Sequence, residues 1–171
     1  MDILQTPRLN LTPATSEFLK LLIAEEYAHA GALLDVTVPG GWPFEEAPRA
    51  GLPIHLAAIE EDPSEYLWRI RLIVLRSTRI VIGSINLKGP PEKKGGIVEI
   101  GWGVSVEYRQ QGIAREATQA VIDWVLSQPG VRRVIATIPD DNLASKALAR
   151  RLGMQRTCEI HRNLPVWELG L

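Results

Sequence analysis

Three neighbouring segments constrain this chain more than anything else in it. They read YLWRIRLIVL (66–75), RIVIGSINL (79–87) and IVEIGWGVSV (97–106). Each is rich in β-branched and aromatic residues, which suit a pleated, half-buried surface. RST (76–78) and KGPPEKKGG (88–96) separate them with charge, Pro and Gly. The pattern predicts three consecutive antiparallel strands. The second connection, long and polar, reads as mobile.

The flanking sequence supplies helices. RLNLT (8–12) alternates as a first strand. Residues 16–36 are mostly good helix formers, with an apolar stripe of Phe18, Leu19, Leu22 and Ile23. VPGGWPF (38–44) reads as a loop. Leu52, Leu56 and Ile59 mark another helix, which EEDPSE (60–65) stops. After the three strands, Ile113, Ala117, Ala120, Val121, Trp124 and Val125 mark the buried face of a helix that ends at SQPG (127–130). RRVIATI (132–138) is a strand. DDNLASKALARRLG (140–153) is a helix with Asp or Asn as its N-cap and Gly153 as its stop. MQRTCEI (154–160) and LPVWEL (164–169) suit a closing hairpin. The expected fold is α/β: a mixed, mostly antiparallel central sheet with helices on both faces. Residues 1–171 are expected to form one domain, a length sufficient for a sizeable core.

Charge and composition narrow the function. Nineteen Lys and Arg face 20 Asp and Glu, and a net charge of −1 argues against a general nucleic-acid binder. Apolar runs such as LIVL (72–75) are too short to span a membrane. MDILQTPRLN lacks the basic and apolar regions of a signal peptide. The single cysteine allows no internal disulfide. A cytoplasmic protein is the expectation. Whether it is a monomer or a homodimer is left open.

YRQQGIAREA (108–117) leaves a strand through a glycine and starts a helix. The first N–H groups of a helix lack partners inside it and lie at the positive end of its dipole. Gly112 has no side chain to block an approaching group, and Arg109 adds positive charge. Such a turn suits phosphate oxygens. A plainer reading is a glycine needed for turn geometry alone. The GxxxxGK[ST] and GxGxxG patterns are absent. What remains is R-x-x-G-x-A at 109–114.

On these residues the chain resembles the GNAT acetyltransferase family, and within it the ribosomal-protein N-terminal acetyltransferases. RQQGIA (109–114) matches the family signature [QR]-x-x-G-x-[GA] after its fourth strand. LQTPRLNLTPAT (4–15) is similar to that branch's opening strand. DDNLASKALARRLGM (140–154) is similar to its second motif, N-x-x-[SA] followed by a short helix. The resemblance covers nearly the whole chain. It implies acetyl-CoA as co-substrate and an amine acceptor that is a small molecule or a protein N-terminus. No metal and no nucleic-acid or membrane partner are expected, from the histidine spacing, the net charge and the short apolar runs. The resemblance further implies that amides of Gln111, Gly112, Ile113 and Ala114, beside Arg109, cradle the pyrophosphate. The pantetheine arm would lie in a splay between the fourth and fifth strands, pairing with backbone near Val104 and Val106. Asn142 would hold that arm from the other side. Lys146, Arg150 and Arg151 would meet the nucleotide phosphates, or else form a solvated helix face.

Acetyl transfer to an amine needs a neutral nitrogen, so a base must remove a proton near neutral pH. Glu99 is the candidate. An acid is a poor strand former, and on a regular strand Glu99 shares a face with Gly101 and Gly103, which leave room for a ligand. The plain alternative is an exposed strand glutamate, or one paired with Arg69 or Arg71. The general acid is open, because Ala149 stands where many members of the family carry a tyrosine. Ser145 is the first candidate and Tyr108 a more distant one, although Ser145 would equally suit a helix residue bonding its own backbone. Cys158 reads as a buried structural thiol. His29, His55 and His161 lack metal-ligand spacing. Trp42 reads as a hydrophobic plug or as the wall of an acceptor pocket. The competing functional readings are a non-catalytic acyl-CoA sensor on the same fold and a transferase of a longer acyl group.

Overall fold

The computed structural model describes residues 2–43 and 45–169. Eight strands form one sheet: β1 (Leu4–Gln5), β2 (Leu9–Pro13), β3 (Ile70–Leu75), β4 (Val81–Leu87), β5 (Ile97–Val104), β6 (Arg133–Thr137), β7 (Met154–His161) and β8 (Leu164–Leu169). Their order is β1-β2-β3-β4-β5-β6-β8-β7. The expected antiparallel run is β3, β4 and β5, and among these eight strands only β5 and β6 pair in parallel. The helices are α1 (Ser16–Ile23), α2 (Tyr27–Leu34), α3 (Glu46–Glu61), α4 (Ile113–Leu126) and α5 (Leu143–Arg151). None of the described helices is long and apolar enough to cross a membrane.

Each face of the sheet has its own core. On one, Ile113, Ala117, Val121, Ile122 and Val125 of α4 pack with Leu9, Ile73, Ile85 and Ile100. Full burial of one large apolar side chain contributes roughly 1.5–3 kcal/mol, so the α4 stripe anchors that helix. On the other, Phe18, Leu19 and Leu22 of α1 pack with Leu52, Ile59, Leu72 and Val81. Because α1–α3 cover only part of that face, β5 is left partly open.

Several elements differ from their sequence reading. Residues 16–36 form two helices. Glu25 adopts φ +60°, the Glu25 N–H bonds to Leu22 O and the Glu26 N–H to Leu21 O, which closes α1 in a Schellman motif. The left-handed residue is Glu, and the usual Gly signal was absent. β1 was not expected, since two residues carry no period. It shifts the count, so the predicted fourth and fifth strands are β5 and β6. Residues 66–68 belong to a 3-10 turn, Pro63–Trp68, capped by the Asp62 carboxylate on the Ser64 N–H. The 88–96 connection is pinned. It holds a 3-10 turn, Pro91–Lys94, whose Lys93 pairs with the buried Glu65, and Gly96 O accepts from the Arg132 N–H at 2.7 Å. Cys158 is exposed on the edge strand β7, where only Met154 joins the core and the rest of the strand is left largely uncovered.

The splay expected from the resemblance lies between β5 and β6. They pair only at residues 97–99 and 133–135, after which β5 continues against β4 up to Val104. β4 approaches β5 so closely that a Cβ on Gly83 would stand 2.3 Å from Gly103 O, so only glycine fits there. The Ser105 N–H bonds to Ile82 O. Strand alternation then turns the backbone groups of Trp102 and Val104 away from β4, into the gap.

Candidate active site

A cleft of about 830 Å³ opens at the start of α4. Gly112, with φ +76°, precedes that helix in the left-handed region, which glycine reaches without steric cost. The N–H groups of Ile113, Ala114 and Arg115 begin the helix without intrahelical partners. The cleft continues along 102–104 of β5 and one face of α5, where Ala144, Ala147, Leu148 and Arg151 point inward. A smaller hollow of about 150 Å³ at the splay is shared by Trp102, Thr137, Asn142 and Ser145.

The expected cofactor residues divide. Gly112, Ile113, Ala114, Val104, Asn142 and Arg109 all line the cleft. Arg109, however, is already engaged. Its Nε donates to Val104 O at 2.8 Å, and its Nη2 pairs with the Glu45 carboxylate. Gln111 does not line the cleft, and its side chain bonds to Glu107 O at 3.0 Å. Gln110, at φ +60°, takes its place. Val106 is not a strand residue. β5 ends at Val104, and the exposed Val106 begins the 3-10 turn Val106–Tyr108. Lys146 turns away from the cleft to donate to Asp140 O at 2.8 Å, and Arg150 lies over the Trp167 ring, which leaves Arg151 as the α5 cation in the cleft. The Asn142 Oδ1 caps α5 on the Ser145 N–H at 3.0 Å, so its Nδ2 is the group left for a ligand.

Arg8 was missed as a site residue. Its Nε donates to Glu116 Oε2 at 2.7 Å and its Nη1 to Gln111 O at 2.9 Å. In a trans peptide the C=O and N–H point opposite ways, so this bond turns the Gly112 N–H away from Arg8. Glu116 also accepts from the Thr6 hydroxyl. These bonds and the Arg8 charge hold its carboxyl below the usual range, against the opposing effect of burial. In the sequence Arg8 carries only the signal of a strand start, in RLNLT (8–12).

On the other face, Glu99 is 6% exposed, and its Oε1 accepts from the Thr137 hydroxyl at 2.9 Å. Neither plain alternative describes it. Arg69 pairs with Glu65. Arg71 lies in the opposite core, 4.3 Å over the Trp124 ring, where burial lowers its pKa to about 10. A Cβ on Gly101 or Gly103 would meet nothing within 4 Å, so the strip beside Glu99 is open. Thr137 was missed because it neighbours Glu99 only through the parallel β5–β6 register. The Ser145 hydroxyl makes no hydrogen bond among the described residues. Tyr108 lines the cleft as well. Trp42 is buried with Phe18 and Leu52, as a plug would be, and it also borders a small hollow with Gly103. Among the described residues no group of three or more His, Cys, Asp or Glu could hold a metal ion.

Comparison with known proteins identifies the family and the fold. The family profile described as Acetyltransferase (GNAT) domain matches residues 8–155. The uncharacterized N-acetyltransferase YjdG of Bacillus subtilis (strain 168) is 27% identical over 153 residues, covering 90% of this chain and 89% of that protein. An acetyltransferase from Agrobacterium tumefaciens str. C58 superposes with a TM-score of 0.65 at 22% identity, over 100% of this chain and 95% of the other. The ribosomal L7/L12 alpha-N-protein acetyltransferase RimL, solved in complex with coenzyme A, superposes with a TM-score of 0.62 at 17% identity, over 98% and 97% of the two chains. The last two share the fold.

Proposed function

The chain belongs to the GNAT acetyltransferase family, and from that premise we propose that it transfers the acetyl group of acetyl-CoA to a primary amine, on a small molecule or a protein N-terminus. One observation carries the reading. A single strand, β5, leads from a buried carboxylate beside an open glycine strip to a helix N-terminus in a large cleft, and it parts from its neighbour in between. The coenzyme A complex of the structurally similar RimL supports a coenzyme in such a cleft.

In this reading the amides of Gly112, Ile113 and Ala114 hold the pyrophosphate, and Arg8 orients the first of them. The Trp102 backbone, the Val104 N–H and the Asn142 Nδ2 align the pantetheine arm through the splay. Glu99 takes a proton from the amine, directly or through one water. The nitrogen forms its bond to the acetyl carbon as the carbon–sulfur bond breaks, and the thiolate takes up a proton from water or from Ser145. Thr137 holds the Glu99 carboxylate in one orientation. Residues 1–171 act as one domain.

The test is release of free thiol from acetyl-CoA with a panel of amines and peptides, with the product identified by mass. Acetylated amine is the expected result. Thiol release without any acetylated amine, or turnover only with a longer acyl-CoA, contradicts the proposal.

A further inference from the structure

The open strip over Gly101 and Gly103 ends against a group of cations that acetyl transfer itself does not use. Lys88 donates its N–H to Glu99 O at 3.0 Å, so the two are cross-strand partners with side chains on one face. Lys94 is half-buried on the turn before β5. It lies in the field of Glu99, Arg162, Arg69 and Lys88. Burial and the three cations hold its ammonium below the ordinary lysine value, against the pull of Glu99. The Arg69 Nε is buried without a partner. So is the Nδ1 of His55, whose ring is 5% exposed. Burial, then Lys88 and Arg69, lower its pKa to about 4, so it is neutral at pH 7.

Few carboxylates oppose this charge. Glu65 already binds Arg69 and Lys93. Lys88, Lys94 and Arg162 make no ion pair within 4 Å among the described residues, while Lys93 also meets Asp62 at 3.5 Å. Unpaired cations beside an open strip attract anions and repel a lone ammonium. The same field favours the neutral form of an amine placed within it. A polyamine is therefore a poor fit.

We propose that the acceptor is an amine that carries its own oxyanion, a carboxylate or a phosphate close to the nitrogen, held by Lys88 and Lys94 while Glu99 faces the amine. This rests on the amine-acetylation reading above and assigns the charge of the substrate.

The experiment compares kcat/KM within pairs that share one amine: an α-amino acid against its amide, and phosphoethanolamine against ethanolamine. A diamine is the opposite-charge arm. Rates are referred to the neutral amine through each acceptor's pH profile. The oxyanion-bearing member of one pair should lead by about tenfold or more, as expected for a charge-assisted contact. Which pair responds tells carboxylate from phosphate. Lys94→Gln and Lys88→Gln should each move that ratio toward one, with coenzyme A affinity reporting that the variants are folded. Equal rates within both pairs, or a faster diamine, overturn the inference and leave amine acetylation standing. A ratio unchanged in both lysine variants overturns the assigned site. Failure to acetylate any amine ends the underlying reading, and this inference falls with it.

Discussion

The two halves of the candidate site are built by different means. The half at α4 is local: strand, turn and helix start are consecutive in sequence, and backbone amides supply the chemistry. The half at Glu99 is assembled from β4, β5, β6, the 88–96 connection and α3, and side chains supply the chemistry. Backbone geometry depends on a few turn residues and tolerates change elsewhere. A side-chain site depends on distant parts arriving together. Changes in the first half should therefore act on cofactor affinity, and changes in the second on turnover and acceptor choice.

The largest expected break is Glu99→Gln, which keeps the shape and removes the base. Turnover at neutral pH should fall by ~10²–10⁴-fold. Coenzyme A affinity should stay within about twofold, because the phosphate site lies beyond this strand. The residual rate should climb with pH as more amine becomes neutral, since an α-amine titrates near ~8. Superimposable pH–rate profiles would make Glu99 structural.

His55 ties the same half to stability. Its folded pKa, about 4, lies below its unfolded value of 6.5, so below pH 6.5 the unfolded chain binds a proton that the folded chain excludes. Stability should fall as pH drops from 6.5 toward 4, by up to about 3 kcal/mol from this residue. Urea unfolding across that range should show His55→Gln losing this part of the slope. A slope identical to wild type would contradict the buried neutral ring.

On the cofactor side, Gly112→Asp should weaken coenzyme A binding by roughly 10–100-fold relative to Gly112→Asn. Both side chains tolerate the left-handed turn, and only one brings charge. Calorimetry measures the difference, and equal affinities would remove the pyrophosphate from this turn. Smaller still is Ser145→Ala, for which a loss of about tenfold or less is expected, because water can protonate a thiol of pKa near ~8.5. A loss beyond about a thousandfold would make this hydroxyl the general acid.

Legibility in the sequence follows the same division. The R-x-x-G-x-A turn, the glycines beside Glu99 and the β-rich trio are short-range patterns, and the structure holds them where they were expected. Thr137, Arg8, Lys88 and Lys94 come to the site through sheet register and a pinned connection, which no local period encodes. Val106 and Lys146 show the converse. The family resemblance implied a place for them along the cofactor, whereas an early strand end and a hydrogen bond to Asp140 O take them out of the cleft. Glu25 closed a helix without the glycine that normally announces such a stop.

Titration of the isotope-labelled protein with coenzyme A, followed through its backbone amide resonances, tests most directly whether the cofactor occupies the α4 half and the splay. The predicted result is saturable shifts centred on Gly112, Ile113, Ala114, Trp102 and Val104, with Lys88 and Lys94 little moved. Shifts centred on the 88–96 connection, or no saturable binding by the folded protein, would contradict the account.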